Sequence, residues 1–356
     1  SPLSLQDAVC GRSGVSGFSS LNFQSSEGFP FSAFRPGGVS GKKWMFELEL
    51  TQSGFILKGI DRRLINVMAL KHELRKRDIK PFTVFVDCLK DARIAKEKCC
   101  IPGKTRIFSI SPVDFSIQFR QYFLPYTVAH QNSRHDFSSA VGINVHGSEW
   151  TSLVLTMLQK SDKQLCGDYS NFGAGFCSEV HYFVGEAILD WFDFHGQTVE
   201  DRQIRKVMLR ELIDCPHLCF NLIYLTFCGM PSGSPITVET NDLVNLSYIL
   251  MAWFEIMRPT GVNSLHYFRK FVNIKTYGDD LWLSVHPQVI DIFNNVSISI
   301  FFEKYGVKYT DATKSGEMVP YKDIYNSQFL KCTPVPHPKR PGMYLAQLEK
   351  KSALDI

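Results

Sequence analysis

Two strand-forming runs, FVNIKTY and LWLSV, flank Gly278-Asp279-Asp280 and leave room only for a tight turn. β-Branched and aromatic residues on both sides of a glycine-containing turn read as an antiparallel hairpin. A hairpin this apolar has to be buried in a larger sheet, and it carries two carboxylates side by side at its tip. Successive strand residues point to opposite faces, so Asp279 and Asp280 cannot project alike. If one binds a cation directly, the other supports it from farther off. A solvated turn is the plainer explanation of the same residues.

The remaining elements are of mixed type. Lys58–Lys76 has apolar residues near helical spacing and a cationic outer face, and FTVFVDCL (82–89) reads as a strand. Helical patterns cover 116–129, 151–160, 178–192 and 202–213, and the strand-like KQLCGD ends on Asp168. The apolar run 220–227 leads into a glycine- and proline-rich loop, followed by a long apolar helix from Thr237 to Ile256. A helix near 289–304 and a strand-like QFLKC come after the hairpin, whereas residues 1–40 look irregular. Helices between distant strands, together with an antiparallel hairpin, predict an α+β fold built on a sheet core. At 356 residues, 44% hydrophobic and 21% charged, the chain can bury a large core in one to three domains.

The net charge of +4 says little about partners, but the bases concentrate between Lys58 and Arg106. Ten irregularly spaced cysteines point to a reducing compartment rather than a disulfide framework. Cys215, His217, Cys219 and Cys228 are the one group worth weighing as zinc ligands; they lack paired CxxC spacing, and buried thiols are the better reading. No apolar run reaches the roughly 18 residues of a membrane span. The chain begins Ser1-Pro2 with no initiator methionine, as a processed segment does.

Three further stretches carry chemistry. KDARIAKEKCCIPGKTR sets six bases, including Arg93, Lys104 and Arg106, against two acids, and Pro102-Gly103 breaks it into two arms. That favours a phosphate-binding finger at least as much as a solvated loop. Asp168 in CGDYSNFGAG closes a short strand; set beside the hairpin, it would face Asp279 and hold two Mg²⁺ ions about 4 Å apart for in-line phosphoryl transfer. In GMPSGSPITVETN, Ser232 and Gly233 lie in a loop able to approach a ligand closely. Thr237 and Asn241, spaced i, i+4, could read a ribose 2′-OH. Taken singly, Asp168 reads as a turn residue and Thr237 as a helix cap.

The order of these elements decides between the readings. The chain resembles the RNA-dependent RNA polymerases of picorna-like positive-strand RNA viruses, nearest to iflavirus-like or dicistrovirus-like insect viruses. SSEGFPF resembles the family's early fingers motif, and KDARIAKEK with GKTR its triphosphate-contacting motif. GDYSNF, SGSPITVETN and YGDD resemble the successive palm motifs. KYGVKYTDATKSG resembles the motif with the proton-donating lysine, and FLKC the primer grip.

The resemblance implies a right-hand polymerase: fingers over 1–135, palm over 136–182, a fingers insertion over 183–225, palm again over 226–333, and the start of a thumb over 334–356. Only 24 residues follow Cys332, so the thumb is expected to be cut short. Asp168 and Asp279, with Asp280 in support, would bind Mg²⁺ (or Mn²⁺ in its place), and Lys314 would be the general acid. Arg93, Lys104, Arg106, Ser232, Gly233, Thr237 and Asn241 would bind the NTP. The implied partners are RNA template and primer, NTPs, a small genome-linked protein primer and other viral replication proteins, at membrane-associated complexes in the host cytoplasm. Relatives often carry a second acid where this chain has Gly173 and a serine where it has Asp242, which leaves the ribose network open. The alternatives are a truncated, non-catalytic RNA-binding palm/fingers module, and a reverse transcriptase, against which Thr237 and Asn241 argue.

Overall fold

The computed structural model describes residues 1–91, 96–312 and 318–350. In chain order the elements begin with α1 (Leu5–Cys10), β1 (Phe46–Thr51), β2 (Gly54–Ile60), α2 (Arg62–Lys76), β3 (Phe85–Leu89), β4 (Ile107–Ile110) and α3 (Val113–Asn132). Next come α4 (Ser148–Leu158), β5 (Gln164–Tyr169), α5 (Phe172–Gly175), α6 (Ser178–Phe194), α7 (Val199–Ile213), β6 (Pro216–Cys219) and β7 (Leu222–Leu225). The last are α8 (Thr237–Ile256), α9 (Leu265–Phe271), β8 (Val272–Tyr277), β9 (Asp280–Val285), α10 (Asn295–Glu303), β10 (Tyr309–Asp311), β11 (Cys332–Pro336) and β12 (Tyr344–Leu348).

The chain divides into two compact units, residues 1–129 with 173–237, and 130–172 with 238–356. In the first, β1 and β2 form a two-stranded ribbon, and β4-β3-β6-β7 a four-stranded sheet in which only the β3–β6 pair is parallel. Phe23, Phe31, Phe46, Leu64 and Ile117 centre its core. α2 and α7 are also tied by a buried bidentate pair, Arg75 to Glu211 at 2.6 and 3.0 Å, whose charges are further bonded by Gln118 and Thr83. A buried ion pair of this kind holds only when its other polar atoms are satisfied, as they are here.

In the second unit the sheet order is β10-β5-β9-β8, antiparallel throughout. Trp150, Met157, Trp282 and Phe329 fill its core, with Trp150 and Trp282 ring centroids 5.9 Å apart. The free edge of β8 is covered by residues 138–140, where Thr276 donates to Ser138 O and Ala140 donates to Thr276 O. Among the described residues no helix is long and apolar enough to cross a membrane.

Caps explain where the elements depart from the periodicity. The helix expected from Lys58 starts only at Arg62, because Asp61 accepts the Arg63 amide as N-cap and leaves Lys58–Ile60 to β2. The helix expected from Val289 starts at Asn295, where Asn294 and Ser297 form a reciprocal capping box. The apolar run 220–227 is bent rather than continuous: Phe220 takes φ +53° and turns β6 back into β7.

Candidate active site

β8 and β9 pair up to Tyr277 opposite Asp280, so the hairpin loop is only Gly278 and Asp279. Gly278 has φ +63°, a conformation that needs no Cβ at this corner. β5 runs antiparallel to β9 with Gly167 opposite Leu281. Continuing that register by one residue brings Asp168 level with the hairpin tip. Asp168 near the end of β5, Asp279 in the turn and Asp280 at the start of β9 therefore lie at the same end of the sheet. Leu281, Trp282 and Leu283 are buried and hold the return strand, and Trp282 Nε1 donates to Gln164 Oε1 at 2.8 Å.

α8 lies against the hairpin tip. A Cβ added at Gly278 would sit 3.9 Å from the Asn241 Cβ, and Asn241 Oδ1 is buried with no hydrogen-bond partner. One turn on, the buried Asn245 uses Nδ2 to donate to the carbonyls of Gly278 (3.1 Å), Asp279 (3.2 Å) and Asp280 (3.4 Å). Its Oδ1 accepts from Tyr169 Oη at 3.0 Å. Burial drives the Tyr169 phenol well above its usual range, so it stays a neutral donor.

Charges sit behind the tip as well. Lys275 is 5% exposed, and its ammonium donates to Arg134 O at 2.6 Å and to Phe137 O. Burial depresses this amine to about 8, against the pull of Asp242 and Asp136. Asp242 bonds His130 Nε2 at 2.9 Å. Burial raises the carboxyl of Glu239 despite a 2.9 Å bond from Gln131.

In the first unit, the Ser232–Gly233 loop is fastened to β4. The Ser109 amide donates to Ser232 Oγ at 3.3 Å, and Ile110 forms a parallel bridge with Gly233. Thr237, expected as a cap or ribose reader, donates its hydroxyl to Pro231 O (3.1 Å) and Ser234 O (3.0 Å), closing the loop on itself. Gly173 contributes its carbonyl to the Met230 amide at 2.7 Å. The finger is the connection between β3 and β4, pinned at its base by Lys90 N to Arg106 O at 2.8 Å, with Lys104 and Arg106 exposed. Arg93 and Lys314 lie outside the described residues.

The supposed zinc group is a hydrogen-bond network. Asp87 accepts from His217 Nδ1 (2.8 Å), Ser109 Oγ (2.9 Å) and the Tyr224 hydroxyl, while His217 Nε2 faces Cys215 Sγ at 3.0 Å. Burial pushes the Cys215 thiol to about 11, and Cys228 is exposed. Among the described residues no three His, Cys, Asp or Glu side chains are gathered to hold a metal. The acids at the sheet end fit Mg²⁺ on other grounds: they are hard oxygen donors, and Mg²⁺ is typically bound by one or two carboxylates with substrate phosphates and water completing its shell.

Residues 3–356 match the family described as viral RNA-dependent RNA polymerase. The chain belongs to that family. It is 41% identical over 353 residues to the genome polyprotein of Deformed wing virus, covering 98% of this chain and 12% of that one. It is also similar to the replicase polyprotein of Acute bee paralysis virus (30% identity, 92% of this chain, 17% of that one). The genome polyprotein of Rice tungro spherical virus, strain Vt6, is 32% identical over 92% of this chain and 10% of its own length. The polymerase chain thus spans a small part of the curated relatives it matches. Among solved structures, the Sicinivirus 3Dpol RNA dependent RNA polymerase superposes with a TM-score of 0.78 at 18% identity, over 99% of this chain and 68% of that one. The fold is therefore the α+β right-hand polymerase fold, with an antiparallel palm sheet.

Proposed function

We propose that this chain catalyses template-directed RNA synthesis, joining an NTP to an RNA primer 3′ end with release of pyrophosphate. The observation that carries the reading is the placement of Asp168, Asp279 and Asp280 at the same end of the sheet, with the Asn245 amide bonded to the backbone carbonyls of Asp279 and Asp280. Asp168 and Asp279 would hold the divalent cations, with Asp280 in support. Mg²⁺ bound there, or Mn²⁺ in its place, would supply Lewis-acid charge to the primer hydroxyl and the transferred α-phosphate. Asn241 Oδ1, buried and unpaired beside the tip, would be the acceptor for a ribose hydroxyl. Thr237 and Asn241 would together bear the sugar discrimination.

The first unit would act as fingers and the second as palm. Lys104 and Arg106, with Arg93, would neutralise the triphosphate, and Ser232 and Gly233 would link nucleotide choice to the strand that follows Arg106. Lys314 would protonate the leaving pyrophosphate. RNA template and primer, a genome-linked protein primer and other viral replication proteins are the proposed partners, working on host cytoplasmic membranes in genome replication.

Primer extension with Mg²⁺ tests the reading by comparing the parent with Asp279→Ala. We expect the variant to lose at least about a hundredfold in rate, the scale of losing a placed catalytic charge. Equal extension by both proteins would sink the assignment. RNA binding by the parent without metal-dependent incorporation would favour the non-catalytic module.

A further inference from the structure

Asn245 sits in an apolar stretch of α8 between the buried Val244 and Tyr248, where a core side chain would ordinarily be hydrophobic. It is itself 0% exposed, and a buried amide is retained only when its polar atoms are matched. They are matched on two sides. Nδ2 has two hydrogens and faces three turn carbonyls, those of Gly278, Asp279 and Asp280, at 3.1 to 3.4 Å. Oδ1 faces the hydroxyl of Tyr169, the residue directly after Asp168. The amide orientation follows from chemistry: carbonyls accept only, so the NH₂ end must face them, and the phenol then donates to the oxygen.

We infer that Asn245 is a positioning residue that locks the carboxylate-bearing hairpin tip to the end of β5, fixing the spacing of Asp279 from Asp168. This rests on the polymerase reading for its consequence in catalysis, though not for the mechanical link. The Gly278 and Asp279 carbonyls lie in the turn, outside the ladder, and their direction follows the backbone torsions of Asp279. A donor shared among three successive carbonyls holds those torsions together. Tyr169 in turn holds the amide from the neighbouring strand, so the hairpin cannot tilt away from β5 without breaking the bonds at one end of this side chain.

The informative variant is Asn245→Asp, which keeps the shape but replaces the two-hydrogen donor by a carboxyl with at most one hydrogen for the three carbonyls. In the metal-free protein, hydrogen–deuterium exchange over residues 276–283 should quicken by about tenfold. Mn²⁺ affinity, read by electron paramagnetic resonance, should weaken by a similar factor. In primer extension kcat should fall by roughly ten- to a hundredfold, the scale of an ångström's misplacement, with KM for NTP within about twofold. A variant deficient only in general stability would exchange faster throughout the chain and would not separate kcat from KM.

Parental exchange, Mn²⁺ affinity and kcat in a folded Asn245→Asp protein would overturn the inference. Should that variant not fold, Tyr169→Phe is read in its place: it frees the amide, and about threefold faster exchange at 276–283 with weaker Mn²⁺ binding is expected. No change in either would overturn the inference. Asp279→Ala separates the two proposals. If it extends RNA like the parent, the polymerase reading fails while the exchange measurement still judges Asn245.

Discussion

The ring of Tyr309 occupies the space that a β-carbon on residue 167 would need. A Cβ built on Gly167 would lie 1.9 to 2.0 Å from Cζ, Cε2 and Oη of that ring. Tyr309 is fixed there because β10 pairs with β5 and its hydroxyl donates to Asn295 Oδ1 at 3.0 Å. The glycine before the strand-end acid is thus a packing requirement of the sheet.

Gly167→Ala should therefore destabilise the fold by about 1–3 kcal/mol, the usual cost of overfilling a core. In a Tyr309→Ala background the same substitution should cost little more, because the colliding ring is gone. Urea unfolding of the four proteins checks this; equal costs in both backgrounds would show that the ring is not the obstacle.

Gly233 meets backbone rather than side chain: a Cβ there would lie 1.8 Å from Ser109 O. No rotamer change relieves that contact, so Gly233→Ala should displace the loop from β4 and break the Ile110–Gly233 bridge. Ser232→Ala removes only one long bond, from the Ser109 amide, worth about 1 kcal/mol. Extension by Gly233→Ala should fall at least about tenfold more than by Ser232→Ala. Steady-state rates at matched Mg²⁺ decide it, and parity would detach the loop's placement from turnover.

Lys275 supplies a pH signature. Its folded amine titrates at about 8, below an unfolded value near 10.4, so in that interval the unfolded chain binds the extra proton. Stability then rises with pH across the window and is lost as pH falls from about 10.4 to 8. Relative to Lys275→Met, the parent should gain up to about 1.4 kcal/mol per pH unit between those limits. Paired unfolding curves at pH 7.5, 8.5 and 9.5 test this, and parallel pH trends would exclude a neutral buried lysine. Using the difference removes Lys42, also depressed to about 8 by burial, from the comparison.

Local pattern revealed the hairpin, the strand ending near Asp168 and the exact span of α8, because turn chemistry and apolar runs mark them directly. It could not reveal Asn245. A lone asparagine among Val244, Leu246 and Tyr248 carries no periodic signal, and its use appears only once β5 and the hairpin are side by side. The i, i+4 step from Asn241 to Asn245 was the one available clue. Ser109 and Asp87 were hidden for the same reason, being joined to His217 and Ser232 by contacts between distant segments. Thr237 shows the opposite limit: helical spacing aligned it with Asn241, while the carbonyls of Pro231 and Ser234 claimed its hydroxyl.

The sheet register also dictates an order of assembly. β5 finds its ladder partners in β9 and β10, more than a hundred residues farther along the chain, so its closure is among the slow, non-local steps of folding. During synthesis from the N-terminus, Asp168 emerges long before the strand that will stand beside it exists. The carboxylates cannot be drawn together until that late pairing is made. Affinity for a divalent cation would thus serve as a gauge of completed folding as well as of catalytic competence.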